Sequence, residues 1–230
     1  MSRDDRSASG WDARVDAWDE VAATPAFQRL ARLVVSFATP QPDDRVVDLG
    51  AGTGLLSLLI APDVEQVISV DSASSMLARL KQRATEGGVT NLTTLHADMR
   101  SLPLPDSSAS LVVSNYAFHH LDDNGKELAL SEARRILAPG GRLVVCDMMF
   151  GLSLRQRDRR IVKQKLTLIA SAGPTGVVRL ARNGARIIRR RWEHPARPER
   201  WEEMLQARHF VDSVVVALEH EGGIAAARRP

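Results

Sequence analysis

Apolar residues along this chain come in two rhythms. Short, nearly unbroken apolar runs at 45–49, 64–70, 91–95, 111–113 and 142–148 predict strands of a parallel sheet covered on both faces, since alternation disappears where neither face meets water. Elsewhere the apolar positions recur every three or four residues, which predicts helices. Trp11, Val15 and Trp18 share one face of a helix over 11–22. A second helix over 25–37 opens with Pro25, suited to a first turn, and stops before Pro40 and Pro42. Further helices are predicted from Leu55, from Met76, over 122–137 and over 198–207. Strands at 210–218 and 223–228, joined by a tight turn at 221–223, end the chain as an antiparallel hairpin. This alternation of strands and helices is the pattern of an α/β protein.

The first strand runs straight into three glycines, in RVVDLGAGTG at 45–54. Glycine lets the backbone turn tightly and approach a ligand closely. The helix that follows points its unpaired amide groups back into that turn, so a nucleotide-like ligand has a place to lie. The spacing G-x-G-x-G is not the dinucleotide fingerprint, because Leu55 stands where the third glycine would be. Asp48 adds a carboxylate that would repel a pyrophosphate and welcome a cationic group. Asp71 ends the second strand 21 positions beyond Gly50, near the roughly 20 at which an acid reaches a ribose, and its two oxygens can accept from both hydroxyls. Alternatively it caps the next helix. Ser114, Asn115 and Tyr116 end the fourth strand, the edge where open α/β sheets bind ligands. Of the adjacent histidines one could be a general base, His119 ahead of His120, while the other packs or caps the next helix.

Four ordered segments carry a family resemblance: DLGAGTG at 48–54, VISVDSASSML at 67–77, LHADMRSLPLPDSSASLVVSNYAFHHL at 95–121 and LAPGGRLVVCDM at 137–148. Over about residues 40–150 the chain resembles the class I S-adenosylmethionine-dependent methyltransferases, in particular the small-molecule group like those of ubiquinone and menaquinone biosynthesis. The resemblance implies a three-layer Rossmann-like fold with a mostly parallel seven-stranded sheet, an antiparallel last strand and a helical lid. Its cofactor would be S-adenosyl-L-methionine, leaving as S-adenosyl-L-homocysteine. It implies cofactor contacts from Asp48, Gly50, Ala51 and Gly52, ribose contacts from Asp71 and Ser72, adenine contacts from Met76, Asp98 and Met99, and a contact from Asn115. Trp11 and Trp18 would lid the cofactor, or else form a core stripe. His119, Asn115 and Tyr116 are the candidates for catalysis. The sequence SNYAF lacks the prolines of the N/D-P-P-Y/F signature of base-modifying enzymes. The expected division is a helical cap at 1–40, a cofactor-binding core at 41–150, a basic helical insertion at 151–197 and a C-terminal helix and hairpin at 198–230.

Charge changes the picture in one place. Of the net +3, residues 152–191 supply +11, from 12 Lys and Arg against one Asp, and the rest of the chain is acidic. Two amphipathic helices are predicted there, at 152–170 and 176–191. A solvated lid or oligomer face, an anionic acceptor site, or a nucleic-acid or peripheral membrane surface all remain open. Against nucleic acid, the block has no aromatic residue before Trp192 to stack a base. Cys146, the single cysteine, excludes an intramolecular disulfide, and the polar N-terminus lacks the apolar core of a signal peptide, so a cytoplasmic monomer or homodimer is expected. No cluster at metal-ligand spacing accompanies the histidines, so no metal is expected. The rivals are a nicotinamide-dependent oxidoreductase, against which stand the glycine spacing and the absence of Y-x-x-x-K, and a non-catalytic module that binds the cofactor or nucleic acid.

Overall fold

The computed structural model describes residues 11, 14–151, 159–160, 163, 194–219 and 221–230. In chain order the elements are α1 (Val15–Ala22), α2 (Pro25–Ala38), β1 (Arg45–Leu49), α3 (Leu55–Ile60), β2 (Gln66–Asp71), α4 (Ser74–Glu86), β3 (Leu92–His96), β4 (Ala109–Asn115), α5 (Asp123–Ile136), β5 (Leu137–Met148), α6 (Pro198–Ala207), β6 (Val211–Ala217) and β7 (Gly222–Arg228). They build a seven-stranded sheet in the order β3-β2-β1-β4-β5-β7-β6. Strands β1 to β5 are mutually parallel, and β7 runs antiparallel between β5 and β6. The order reverses between β1 and β4, and ligands of open α/β sheets bind beyond the strand ends at such a switch point.

Two apolar layers sandwich the sheet, and the pleat decides which residue joins which. Val46, Val67, Leu111, Val113 and Cys146 pack with Val34 and Ala38 of α2 and Leu56 and Ile60 of α3. Their neighbours Val47, Leu49, Val70 and Val112 face the other way, onto Ala129, Leu130 and Ala133 of α5 and Trp201 and Met204 of α6. Strand side chains alternate between faces, so an all-apolar strand feeds both layers. Local signals start the helices. Pro25 occupies the first turn of α2, and Asp122 caps α5 by accepting the Gly125 N–H at 2.8 Å.

Boundaries differ from the expected ones where tertiary pairing extends an element. β4 is longer than its apolar centre at 111–113. β5 begins at Leu137, directly after α5, and runs through Pro139, Gly140 and Gly141 instead of starting at Arg142. Leu137 pairs with Ala109, and Gly140 at φ +76° donates its N–H to the Arg229 carbonyl, so the link between the expected helix and strand becomes part of the ladder. The predicted helices at 152–170 and 176–191 lie outside the described residues, apart from the exposed, helical Arg159, Arg160 and Lys163. No helix among the described residues is long and apolar enough to cross a membrane.

Candidate functional site

A cavity of about 230 Å³ opens at the switch point, beyond the carboxyl ends of β1, β2 and β4. Its wall includes ten residues expected there: Trp11, Trp18, Gly50, Gly52, Asp71, Ser72, Met76, Asp98, Met99 and Tyr116. The glycine turn makes the close approach possible. Gly50 sits at φ +72°, and a Cβ there would stand 2.3 Å from the Ala117 Cβ. Gly52, at φ +54°, passes under the Trp18 indole, whose Nε1 lies 3.0 Å from where its Cβ would be. Both positions thus need the left-handed region and the absent side chain.

Asp71 holds the turn and the next helix together. Its Oδ2 accepts the Gly52 N–H at 2.8 Å, and its Oδ1 accepts the Ala73 N–H at 2.9 Å. The ribose and capping readings are therefore compatible, since each oxygen keeps a further lone pair toward the cavity. Burial pushes this carboxyl above its ordinary value, while the N–H bonds from Ala73 and Gly52 pull it down. Above the turn, α1 is tied to α4 by Asp16 to Arg79 at 2.8 Å and Asp19 to Arg83 at 3.1 Å. Arg83 also donates to the Thr53 carbonyl at 3.2 Å, so the helix bearing Trp18 is fixed over the glycines.

Four expected residues lie off this wall. Asp48 is not on the cavity wall: alternation along β1 turns it toward α3, where it is 1% exposed and accepts the Ser57 hydroxyl at 2.6 Å, with Ser69 donating to Ser57 at 2.8 Å. Burial pushes its carboxyl up to about 7, against the Ser57 hydrogen bond and with help from the Asp71 charge. Ala51 turns the other way, into a small cluster with Leu77 and Leu80. Asn115 lies buried at the end of β4, off the wall, and its Oδ1 receives no hydrogen bond among the described residues. His119 is also off the wall, one layer behind Tyr116 and His120.

Asp98 and Tyr116 stand on the wall. Asp98 is gripped by Arg100, with Nε at 3.0 Å from both oxygens and Nη2 at 2.6 Å, so an adenine amine would have to share this carboxylate. Although burial works the other way, the Arg100 hydrogen bonds and charge hold the Asp98 carboxyl below its ordinary value. Tyr116 adopts φ +57° and donates its N–H to the Cys146 carbonyl at 2.8 Å. Burial drives its phenol above the ordinary value, so the hydroxyl stays protonated near neutral pH.

Asp147, at the end of β5, was not among the expected site residues. Its buried carboxylate accepts the His119 backbone N–H at 2.7 Å, the His119 Nδ1 at 2.6 Å and the Met148 N–H at 2.6 Å. Both oxygens of that carboxylate already accept a backbone N–H, so in its contact with the ring Nδ1 is the donor. Lys126, 1% exposed, donates Nζ to the Leu121 carbonyl at 2.5 Å and so braces the loop that carries both histidines. Burial lowers its affinity for a proton; the charges of Asp147, Asp123 and Asp122 oppose this. Arg100, Ala117, His120 and Leu121 also join the wall without having been expected there. Strand-end position, the signal that flagged Asn115, would have flagged Asp147 as well. Among the described residues no group of three His, Cys, Asp or Glu is placed to hold a metal.

Comparison with known proteins agrees with this geometry. Residues 46–141 match the family model described as a methyltransferase domain. A demethylmenaquinone methyltransferase of Thermus thermophilus is 35% identical over 158 residues, covering 65% of this chain and 70% of that protein. An uncharacterized methyltransferase of Bacillus subtilis, YcgJ, is 35% identical over 115 residues; the match covers 50% of this chain and 45% of the relative's length. The phosphoethanolamine N-methyltransferase 2 of Haemonchus contortus, solved with S-adenosyl-L-methionine, superposes with a TM-score of 0.71 at 17% identity, over 95% of this chain and 57% of that one. Sequence motifs, sheet order and a glycine-walled cavity at the switch point converge, and the chain belongs to the S-adenosylmethionine-dependent methyltransferase family.

Proposed function

We propose that the protein moves the methyl group of S-adenosylmethionine to a small-molecule acceptor by in-line displacement. The observation that carries this reading is the Asp71 carboxylate, fixed by the Gly52 and Ala73 N–H groups at the wall of a cavity that the Gly50 and Gly52 turn also lines. Asp71 would accept from the ribose hydroxyls, Met76 and Met99 would cover the adenine, and Trp11 and Trp18 would close over the ligand. Bound there, the cofactor supplies a methyl carbon made electrophilic by its sulfonium. The chain's own contribution is placement, which can supply roughly 7 to 11 kcal/mol, more than the ~10²- to 10⁴-fold of a general base. The names of the Thermus relative and the Haemonchus structure, both of which act on small molecules, support such an acceptor.

Titration calorimetry tests the reading without any acceptor. S-adenosylhomocysteine should bind and NAD should not. Asp71→Ala should weaken S-adenosylhomocysteine by about 100-fold, from two lost hydrogen bonds to a charged group. Binding of NAD, or full affinity in Asp71→Ala with an unchanged circular dichroism spectrum, overturns it.

A further inference from the structure

Helix α1 is hinged at one end and held by charge at the other. Its eight residues are too few to stand as a helix alone in water, and Ala22, in its last turn, is its one buried residue. That end is fixed. Gln28 donates Nε2 to the Ala22 carbonyl at 3.0 Å, Thr24 donates its hydroxyl to the Val21 carbonyl at 2.7 Å, and Pro25 starts α2 directly behind. The other end has no side-chain cap among the described residues; the ring of Trp18 and the carboxylates of Asp16 and Asp19 hold it down. Trp18 stands on the cavity wall with its Nε1 over Gly52, so wherever α1 goes this ring goes with it.

The arginines that meet these carboxylates, Arg79 and Arg83, are spaced i, i+4 on α4, the helix whose first turn carries Met76 to the cavity wall. Arg83 reaches two partners at once. Its Nη2 lies 3.1 Å from Oδ2 of Asp19, while Nη1 donates to the Thr53 carbonyl at 3.2 Å and to the Thr53 hydroxyl at 3.1 Å, inside the glycine turn. One guanidinium thus ties α1 to the backbone that the cofactor must approach. The side chains of Asp19 and Arg83 are 15% and 35% exposed, so water screens this pair less than it screens Asp16 with Arg79, where Asp16 is 88% exposed. Arg79 and Arg83 both address Oδ2 of Asp19, and Oδ1 is buried with no hydrogen bond among the described residues. A two-point fork between guanidinium and carboxylate would be stronger, so Asp19 is held without being locked.

We propose that Asp19 and Arg83 are the latch of a hinged cover over the cofactor: α1 turns about its fixed end at 22–25, and pairing of Asp19 with Arg83 sets Trp18 against Gly52 and slows the escape of the bound ligand. Neither side chain lines the cavity, so both are positioning residues that act through Trp18 and Thr53. With the latch open the Trp18 side of the wall lifts, and cofactor enters or product leaves; with it closed, water is kept from the transferring methyl group. The latch rests on the methyl-transfer reading above, which supplies the ligand that it holds.

Surface plasmon resonance on the immobilised full chain, with S-adenosylhomocysteine as the analyte, reads binding and release separately. Asp19→Asn and Arg83→Gln should each speed release by about 3- to 10-fold, the size of a part-buried ion pair, with one ligand still bound per chain. Because both remove the same contact, the double variant should release more slowly than the product of the two effects predicts. Raising KCl from about 0.05 to about 0.5 M should speed release from the native chain and do so less in either variant, a response that a merely destabilised fold would not lose. Asp16→Asn, whose pair lies open to water, should alter release by less than about twofold. Unchanged release in both variants, fully multiplicative effects in the double variant, a native rate indifferent to KCl, or an equal effect from Asp16→Asn overturns the latch. A native chain that does not bind S-adenosylhomocysteine would instead sink the methyl-transfer reading, so the two failures are separate.

Discussion

Replacing Asp48 by Asn should make the protein more stable at pH 8 than at pH 5 relative to the native chain. The Asp48 carboxyl is 1% exposed and accepts one side-chain hydrogen bond, from Ser57 at 2.6 Å. Burial, and the nearby charge of Asp71, lift it from an ordinary 3.8 to about 7. Between those values the folded protein holds a proton that the unfolded chain has shed. Native stability therefore falls as pH rises through this window and levels off above about 7. At 1.36 kcal/mol per pH unit, the full penalty at pH 8 is about 4 kcal/mol, of which about 3 kcal/mol develops between pH 5 and 8. Asn has no proton to lose, and its Oδ1 can still accept from Ser57, so any constant cost of the amide cancels when the two pH values are compared. Urea unfolding of both proteins at pH 5 and pH 8, followed by far-ultraviolet circular dichroism, measures the difference. If Asp48→Asn shifts stability equally at both pH values, the carboxyl is ionised throughout and the burial argument is wrong.

Two further outcomes test the scaffold of the cavity. Gly50→Ala puts a Cβ 2.3 Å from that of Ala117 at φ +72°, so it should cost at least about 1 to 3 kcal/mol in urea unfolding and abolish S-adenosylhomocysteine binding in calorimetry; retention of binding would show that the turn can yield. Trp201 of α6 is fully buried against Phe118 at 5.5 Å, so Trp201→Ala should lower stability by about 3 to 5 kcal/mol in the same measurement, whereas a loss under 1 kcal/mol would mean that the α6 layer repacks freely.

Much was legible in the chain because it depends on local spacing. The parallel strands announce themselves as short apolar runs, since a strand covered on both faces has no polar side to interrupt it. Gly50 and Gly52 can be read as turn glycines because a backbone at positive φ against another chain segment excludes a side chain whatever the rest of the fold does. The position of Asp71 follows from the length of one strand-helix-strand unit, and Ser72, Met76 and Met99 follow it to the wall.

What the sequence could not decide is direction and company. Asp48 shares a motif with the glycines, but the pleat of β1 aims it at Ser57 and away from the ligand. Asp98 is in place, yet only the folded loop brings Arg100 onto both its oxygens. His119 and Asp147 lie 28 residues apart on neighbouring strand ends, and the parallel pairing of β4 with β5 is what makes them partners. Periodicity thus specified which elements form and where the backbone must bend, because those are properties of a few adjacent residues. Which side chains meet, and so which proton can move where, was fixed only when non-adjacent strands packed into one sheet.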